Sequence, residues 1–326
     1  MAGRRPTGCE LGVRSVPSAV TRREPALVAA RLAHGCRARV GFAAGARQVK
    51  ATANPTLSPH MVDPETPCMI IRDPHQPLIT SAIHAGHALR PEVRRLLAVS
   101  DEQRRREEDP FTAAWTALAP TRVVVHRSRF EVDLNRPREG AVYRVPDDAW
   151  GLSVWRQPPP EDVIARSLAR YDAFYAAAAA LLDAVHERFG RFVVLDLHSY
   201  NHRRAGPGAP PAPTQSHPDV NLGTSTMVRS RFGRAVERFA EALRTSAGRP
   251  SLDVRADVKF RGGHFVRWIH DRYPGAACAI AVEFKKTFMD EWTGRPDAAR
   301  IPELRDALAA TVEPVSEALA SLPAAR

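Results

Sequence analysis

The stretch "RFVVLDLHSYNHRR", residues 191–204, places two polar side chains at the end of a buried strand. Its phenylalanine, valine and leucine residues form a continuous apolar run, which is typical of a strand covered on both faces. The run ends on Asp196 and His198, and side chains two residues apart in a strand point to the same face of a sheet. Because ligands of open α/β sheets bind beyond the carboxyl ends of the strands, this stretch predicts a functional site as well as a fold class.

Apolar strands alternate with amphipathic helices from residue 77 onwards. The pattern predicts strands at 77–83, 121–128, 191–198 and 277–284, and helices at 91–107, 110–119, 160–190, 230–246 and 301–322. A surface loop rich in proline and glycine is expected at 203–218. This alternation predicts an α/β fold, in which helices cover both faces of a mostly parallel sheet.

The positive charge of the chain is concentrated in its first 60 residues. The net charge is +11, and residues 1–60 contribute ten Lys and Arg against two acids. The remainder is close to balance, which argues against nucleic acid as a partner of the globular part. Nucleic-acid binding through residues 1–60 is kept as a separate hypothesis. A membrane span is not expected, because no apolar run approaches the roughly 20 residues that cross a bilayer.

Residues 1–60 are rich in Arg, Ala and Gly and have no sustained periodicity. We expect a disordered basic extension. The alternatives are a transit peptide, or translated upstream sequence with the true start at Met61. Residues 61–326 are expected to form one domain. The four cysteines are scattered and lack CxxC spacing, which favours reduced thiols in a cytoplasmic protein.

Polar residues end several of the predicted strands and can meet in one crevice. His84 follows the first strand, Asp196 and His198 end the third, and Glu283 lies near the end of the fourth. Two imidazoles and a carboxylate make an open zinc site. The carboxylate is expected from Glu107, Glu108 or Asp109, for which helix capping is the alternative role.

Four other histidines are interpreted as structural: His87, His202, His217 and His264. Glu283 follows four apolar residues, where an unpaired carboxylate would be costly, so it is either catalytic or paired with Lys285 or Lys286. The segment 127–137 gathers Asp133, Asn135 and Arg136. Arg136 and Asn135 can grip a substrate carboxylate, and a surface salt bridge is the alternative.

Seven motifs occur in the order that is typical of the N-formylglutamate amidohydrolase family. They are "SAIHAGHALRPE", "EEDPFT", "SRFEVDLNRP", "VVLDLHSYNHR", "PDVNLGT", "FRGGHFVRW" and "AVEFKKTFMDE", and they span about residues 77–291. The chain therefore resembles that family, which is similar in fold to zinc carboxypeptidases and aspartoacylase. The resemblance implies a three-layer α/β/α domain with a twisted, mixed sheet of about eight strands.

The resemblance also implies a role for each candidate residue. His84 and His198 would bind zinc together with Asp109, with Glu108 as a close competitor. Glu283 would be the general base. The other implied roles are polarisation of the scissile carbonyl by Arg129, a grip on the substrate carboxylate by Asn135 and Arg136, and orientation of a ligand histidine by Asp196.

The expected function is that of a zinc-dependent amidohydrolase that cleaves an N-acyl amino acid such as N-formylglutamate. The alternatives are a non-catalytic carboxylate-binding or regulatory protein on the same fold, and a zinc peptidase acting on small peptide-like amides. The chain has "DPFTAAWT" where the family has a "DWHVDRLY"-like stretch, so the acyl group and the amino acid stay open, as does the oligomeric state. The absence of a GxSxG motif argues against a serine hydrolase.

Overall fold

The computed structural model describes residues 68–71, 76–246 and 251–323, all within a compact unit that spans Thr56–Arg326. The predictions for residues 1–60 lie outside the described residues. Within the described ranges, no helix combines the length and the apolar character needed to cross a bilayer. Cys278 is a buried free thiol, and burial raises its pKa to about 12.

A mixed sheet forms the middle layer. Its strands are β1 (Cys68–Ile71), β2 (Leu78–Ala82), β3 (Thr121–Val125), β4 (Phe192–Tyr200), β5 (Val220–Gly223), β6 (Val254–Ala256) and β7 (Ala277–Lys285). Their order across the sheet is β1-β3-β2-β4-β7-β5-β6. Only the pairs β1–β3 and β5–β7 are antiparallel, so the predicted mixed, mostly parallel sheet is confirmed. The described residues contribute seven strands, against about eight expected.

The helices among the described residues are α1 (Pro91–Leu96), α2 (Asp101–Glu107), α3 (Thr112–Trp115), α4 (Glu161–Phe189), α5 (Arg229–Ser246), α6 (His264–Arg272), α7 (Arg300–Ala309) and α8 (Val312–Ala320). Two helices that were predicted as continuous are divided. The first division occurs before Ser100, whose side chain caps α2 in a capping box with Gln103. The second separates α7 from α8 at Thr311, and α6 was not predicted.

Alternation along β4 sends its side chains to two separate cores. Val193, Leu195 and Leu197 pack in the cluster that contains residues of α3, α5, α7 and α8. Phe192 and Val194 pack on the opposite face, in the cluster that contains residues of α4 and α6. The chain therefore has the predicted three layers, and every residue of β4 is buried.

His270 connects α6 to the sheet. Its Nε2 atom accepts a hydrogen bond from the backbone N–H of Ala279 in β7 at 3.0 Å, and its Nδ1 atom lies 2.8 Å from the hydroxyl of Thr226. Burial lowers the pKa of His270 to about 4, which keeps this imidazole neutral near pH 7.

Candidate metal centre

Three residues from distant parts of the chain bring possible metal ligands together. His84 follows β2, Asp109 precedes α3, and His198 belongs to β4. Each offers a ligand atom, and the three atoms all lie within 4.8 Å of one another. All three side chains are buried. The predicted meeting of these residues is therefore observed, and Asp109 is the carboxylate that joins the histidines.

Backbone contacts hold Asp109 beside the histidines. The Asp109 N–H donates to the carbonyl of His84 at 2.9 Å. The ammonium of Lys286, which follows β7, donates to the carbonyls of Arg106 and Glu108 at 2.5 and 2.8 Å. The segment before α3 is thus tied both to the loop after β2 and to the end of β7.

Two further carboxylates orient the imidazoles. His84 Nε2 lies 2.7 Å from Asp133 Oδ1, and His198 Nε2 lies 2.8 Å from Asp196 Oδ2. Since a carboxylate only accepts, each Nε2 donates to its carboxylate, and each Nδ1 atom is directed toward Asp109 Oδ2, at 3.5 and 2.9 Å. Metal-binding histidines are held in this way, and here the Nδ1 atoms of both imidazoles face one point.

The cluster has an excess of negative charge. Burial opposes ionisation of Asp109, but its contacts with His198 and His84 hold the pKa of this carboxyl below its usual range. Burial likewise opposes ionisation of Asp133, but Arg129 and His84 keep its pKa well below normal. Burial disfavours the charged form of His198, yet the surrounding carboxylates hold its pKa well above the usual value. Two imidazole nitrogens and a carboxylate oxygen in such a field fit a divalent cation.

Glu108 does not join this cluster. Its buried carboxylate accepts from Arg104 at 2.7 Å, from the hydroxyl of Ser128, and is paired with His87. The competitor to Asp109 is therefore turned toward a structural ion pair, because adjacent residues in the extended segment after α2 point in different directions.

The candidate centre lies in a cavity of about 330 Å³. The lining includes three residues of the centre (His84, Asp109, His198), two predicted residues beside it (Arg129, Glu283), three aromatic residues (Trp150, Tyr200, Phe260) and five further cations (Arg106, Arg204, Lys259, Arg261, Lys286). This cavity therefore combines a possible metal site with a strongly cationic wall.

Glu283 lies beside the centre because of strand register. It is the direct partner of His198 in the parallel pair β4–β7. Burial raises the pKa of Glu283 to about 7, although the positive charge of His198 opposes this shift. The alternative ion pairs are not formed: Lys285 binds Asp219 at 2.7 Å, and Lys286 donates to backbone carbonyls. Glu283 therefore faces the cavity as a carboxyl group that can exchange a proton near neutral pH.

Arg129 also faces the cavity, and its direction is set by Asp133. The guanidinium donates to Asp133 Oδ2 at 2.6 Å and lies 4.7 Å from the ring of Trp150. Asp133 is thus shared between Arg129 and His84, and it also accepts from the hydroxyl of Tyr143 at 2.5 Å. Asp133 was noticed in the sequence only as part of the 127–137 cluster, and no role was assigned to it.

The predicted pair of Asn135 and Arg136 is separated. Asn135 lines the cavity, but its amide oxygen accepts from the N–H of Phe265 at 3.0 Å and so caps α6. Arg136 is not among the lining residues. Its guanidinium donates to the carbonyl of Asp148 at 2.5 Å and packs over the ring of Tyr143. Carboxylate binding by Arg136 stays a prediction, made for a side chain that does not line the cavity.

Several lining residues were not singled out in the sequence, and three of them are polar groups that matter below: Asn201, Lys259 and Arg261. Asn201 is buried, and its Oδ1 atom has no hydrogen-bond partner within the described ranges. Arg261 lies in "FRGGHFVRW", which was quoted above only as a motif, and Lys259 directly precedes that motif. The glycines that follow them indicated a close approach of the backbone, but not the cavity it faces.

The chain is similar to known proteins in both sequence and fold. The family model described as N-formylglutamate amidohydrolase matches residues 76–289, more than half of the chain. An N-formylglutamate amidohydrolase from Ralstonia eutropha JMP134 is 17% identical, with a TM-score of 0.62, over 77% of this chain and 98% of that one. A gene product of Agrobacterium tumefaciens is 18% identical, with a TM-score of 0.54, over 78% and 94%. The comparison with curated proteins found no match.

Proposed function

The chain belongs to the N-formylglutamate amidohydrolase family, and from this premise we propose that it hydrolyses the amide bond of an N-acyl amino acid with the help of a zinc ion. His84, Asp109 and His198 would hold the ion. N-formylglutamate, which the family name specifies, is the first substrate to consider. The proposal covers the metal, the residue roles and the substrate.

One observation carries the proposal: the three buried ligand atoms lie within 4.8 Å of one another in a cavity that also contains Glu283 and Arg129. A cluster that only stabilised the fold would not need access to a cavity, whereas a catalytic centre does. A catalytic zinc site requires three protein ligands and one open side, and this arrangement is consistent with both requirements.

When bound, zinc would polarise the amide carbonyl and increase the acidity of water in the site. Glu283 accepts a proton from the attacking water and returns it to the leaving amine, which departs as a neutral amino group. Arg129 donates hydrogen bonds to the carbonyl oxygen as negative charge develops there. Asp133 and Asp196 hold the imidazoles, so that little reorganisation is needed during the reaction.

The test combines metal analysis with a substrate panel. The purified protein is expected to contain about one zinc per chain and to hydrolyse at least one member of a panel of N-formyl and N-acetyl amino acids. Glu283→Gln is expected to lower kcat by at least about a hundredfold, since it removes the group that accepts the proton. The matched control is Glu313→Gln, an exposed position on α8 that loses the same charge.

Two results would contradict the proposal. The first is a protein that hydrolyses these amides equally well after complete removal of metal. The second is an active protein whose Glu283→Gln and Glu313→Gln variants have the same kcat. Carboxylate binding without hydrolysis of any N-acyl amino acid would favour the non-catalytic alternative.

A further inference from the structure

Two cations on one wall of the cavity are not paired with an anion. Lys259 and Arg261 lie in the loop between β6 and α6, and both line the cavity. Across the described ranges, no carboxylate lies within 4.0 Å of either side-chain charge. Arg261 is exposed and Lys259 is half-buried, so neither charge is neutralised by the protein and both are available to an anionic ligand.

The other arginines of the cavity differ in this respect. Arg129 is paired with Asp133 at 2.6 Å, Arg204 with Glu107 at 2.9 Å, and Arg106 with Glu291 at 3.4 Å. Each of those guanidinium charges is already balanced by a carboxylate of the protein. The capacity to bind an additional anion is therefore concentrated at Lys259 and Arg261.

Neighbouring groups hold Lys259 in place without neutralising it. Its ammonium lies 2.8 Å from Nε2 of His217, and it packs near the rings of Tyr200 and Phe260. Burial, together with the positive charge of Arg204, lowers the pKa of Lys259. An incoming anion would favour the charged form of this side chain, so binding and protonation reinforce each other.

The start of α6 does not provide this anion site. The N–H of Phe265 already donates to the amide of Asn135 at 3.0 Å, and the N–H of His264 donates to the Asn135 carbonyl at 3.3 Å. A Cβ atom at Gly263 would lie 2.2 Å from the same amide, so Asn135 fills this space completely. The side chains of Lys259 and Arg261, not the helix end, are available to an anion.

Asn201 independently indicates a polar ligand in this cavity. It is 3% exposed, and its amide oxygen has no partner within the described part of the chain. A buried acceptor without a donor is costly, and the cost is removed when a ligand supplies an N–H group. An N-acyl amino acid has both an amide N–H and a carboxylate.

We propose that Lys259 and Arg261 form the carboxylate-binding subsite of this enzyme, in the place that the sequence assigned to Asn135 and Arg136. The inference rests on the proposed function and specifies which residues select the substrate. The two side chains bind the anion directly, and neither takes part in proton transfer.

The test compares substrates with and without each carboxylate. N-formyl-L-glutamate is compared with N-formyl-L-glutamine, which lacks the side-chain charge, and with the α-amide of N-formyl-L-glutamate. Lys259→Gln and Arg261→Gln are expected to raise KM at least about tenfold for substrates that keep the recognised carboxylate, with little change in kcat. The preference for that substrate over its amide is expected to disappear, and Arg261→Lys is expected to restore part of it.

Arg95→Gln is the matched control, because Arg95 is exposed on α1 and its loss changes the net charge equally. The inference is overturned if the cavity variants keep the wild-type preference, or if kcat/KM falls equally for the acid and for both amides. If the wild type hydrolyses no member of the panel of N-formyl and N-acetyl amino acids, the proposed function fails, and calorimetric titration with L-glutamate then decides the subsite. Weaker binding by both cavity variants than by Arg95→Gln would support it, and equal or absent binding would refute it.

Discussion

Replacement of Asp133 by asparagine tests how the candidate centre is supported. The carboxylate is fully buried and accepts from His84 at 2.7 Å, Arg129 at 2.6 Å, Tyr143 at 2.5 Å and the N–H of Asn135 at 2.9 Å. Asparagine has nearly the same volume, so no cavity is created. Its NH₂ group, however, replaces an acceptor by a donor, and the negative charge is lost.

The expected loss of stability follows from these contacts. Removing one partner of a buried ion pair costs about 3–5 kcal/mol, because the other charge stays buried without compensation. The Arg129 side chain retains 13% exposure, so water can partly replace its partner. We therefore expect Asp133→Asn to lower the free energy of unfolding by about 3 kcal/mol. The loss of orientation at His84 is expected to weaken zinc binding by about tenfold to a hundredfold.

The assay is urea denaturation of the metal-free protein, followed by a competitive zinc titration. The control is Asp172→Asn, which breaks the pair between Asp172 and Arg138, where both side chains are about half exposed. This exposed pair is expected to contribute less than about 1 kcal/mol. The reasoning is refuted if the two variants unfold at the same urea concentration, or if Asp133→Asn binds zinc as tightly as the wild type.

His270 has a pKa of about 4 in the folded protein and 6.5 in the unfolded chain, so it takes up a proton on unfolding between these pH values. Its contribution to stability is therefore present above pH 6.5 and is lost as the pH falls to about 4. We expect this loss to be about 3 kcal/mol, and His270→Gln should reduce the slope of urea-derived stability against pH over this window; equal slopes would contradict the assignment. Gly86→Ala places a Cβ atom 2.1 Å from the backbone of His126, so thermal denaturation should show a loss of about 2 kcal/mol or more in the free energy of unfolding. The control Gly233→Ala, whose Cβ atom has no neighbour within 4 Å, should be neutral or stabilising. Arg136→Gln, which is outside the cavity, should change kcat/KM by less than about threefold, whereas Arg129→Gln should lower kcat by about a hundredfold; equal losses would show that the assigned roles are wrong.

Long elements were predicted well because their sequence pattern is local. The buried runs at 77–83, 191–198 and 277–284 became β2, β4 and β7, and the helix predicted at 160–190 ends where Gly190 adopts a left-handed conformation. The four-residue strand β1 was not predicted, and the short strands β5 and β6 were missed as well. Four and three residues contain too little periodicity to identify a strand, and these segments are strands because they pair with neighbours distant in the chain.

The amino-acid sequence by itself determined which chemical groups end the buried strands, and therefore that His84, His198 and Glu283 would meet at one edge of the sheet. Only the tertiary structure decided which of the acids at 107–109 reaches the histidines, and that Arg136 turns toward Asp148. The physical reason is that the side-chain alternation of a buried strand and the residue on which the strand ends are local properties of the sequence. The direction of a loop side chain depends instead on the charges and backbone groups that remote segments bring beside it.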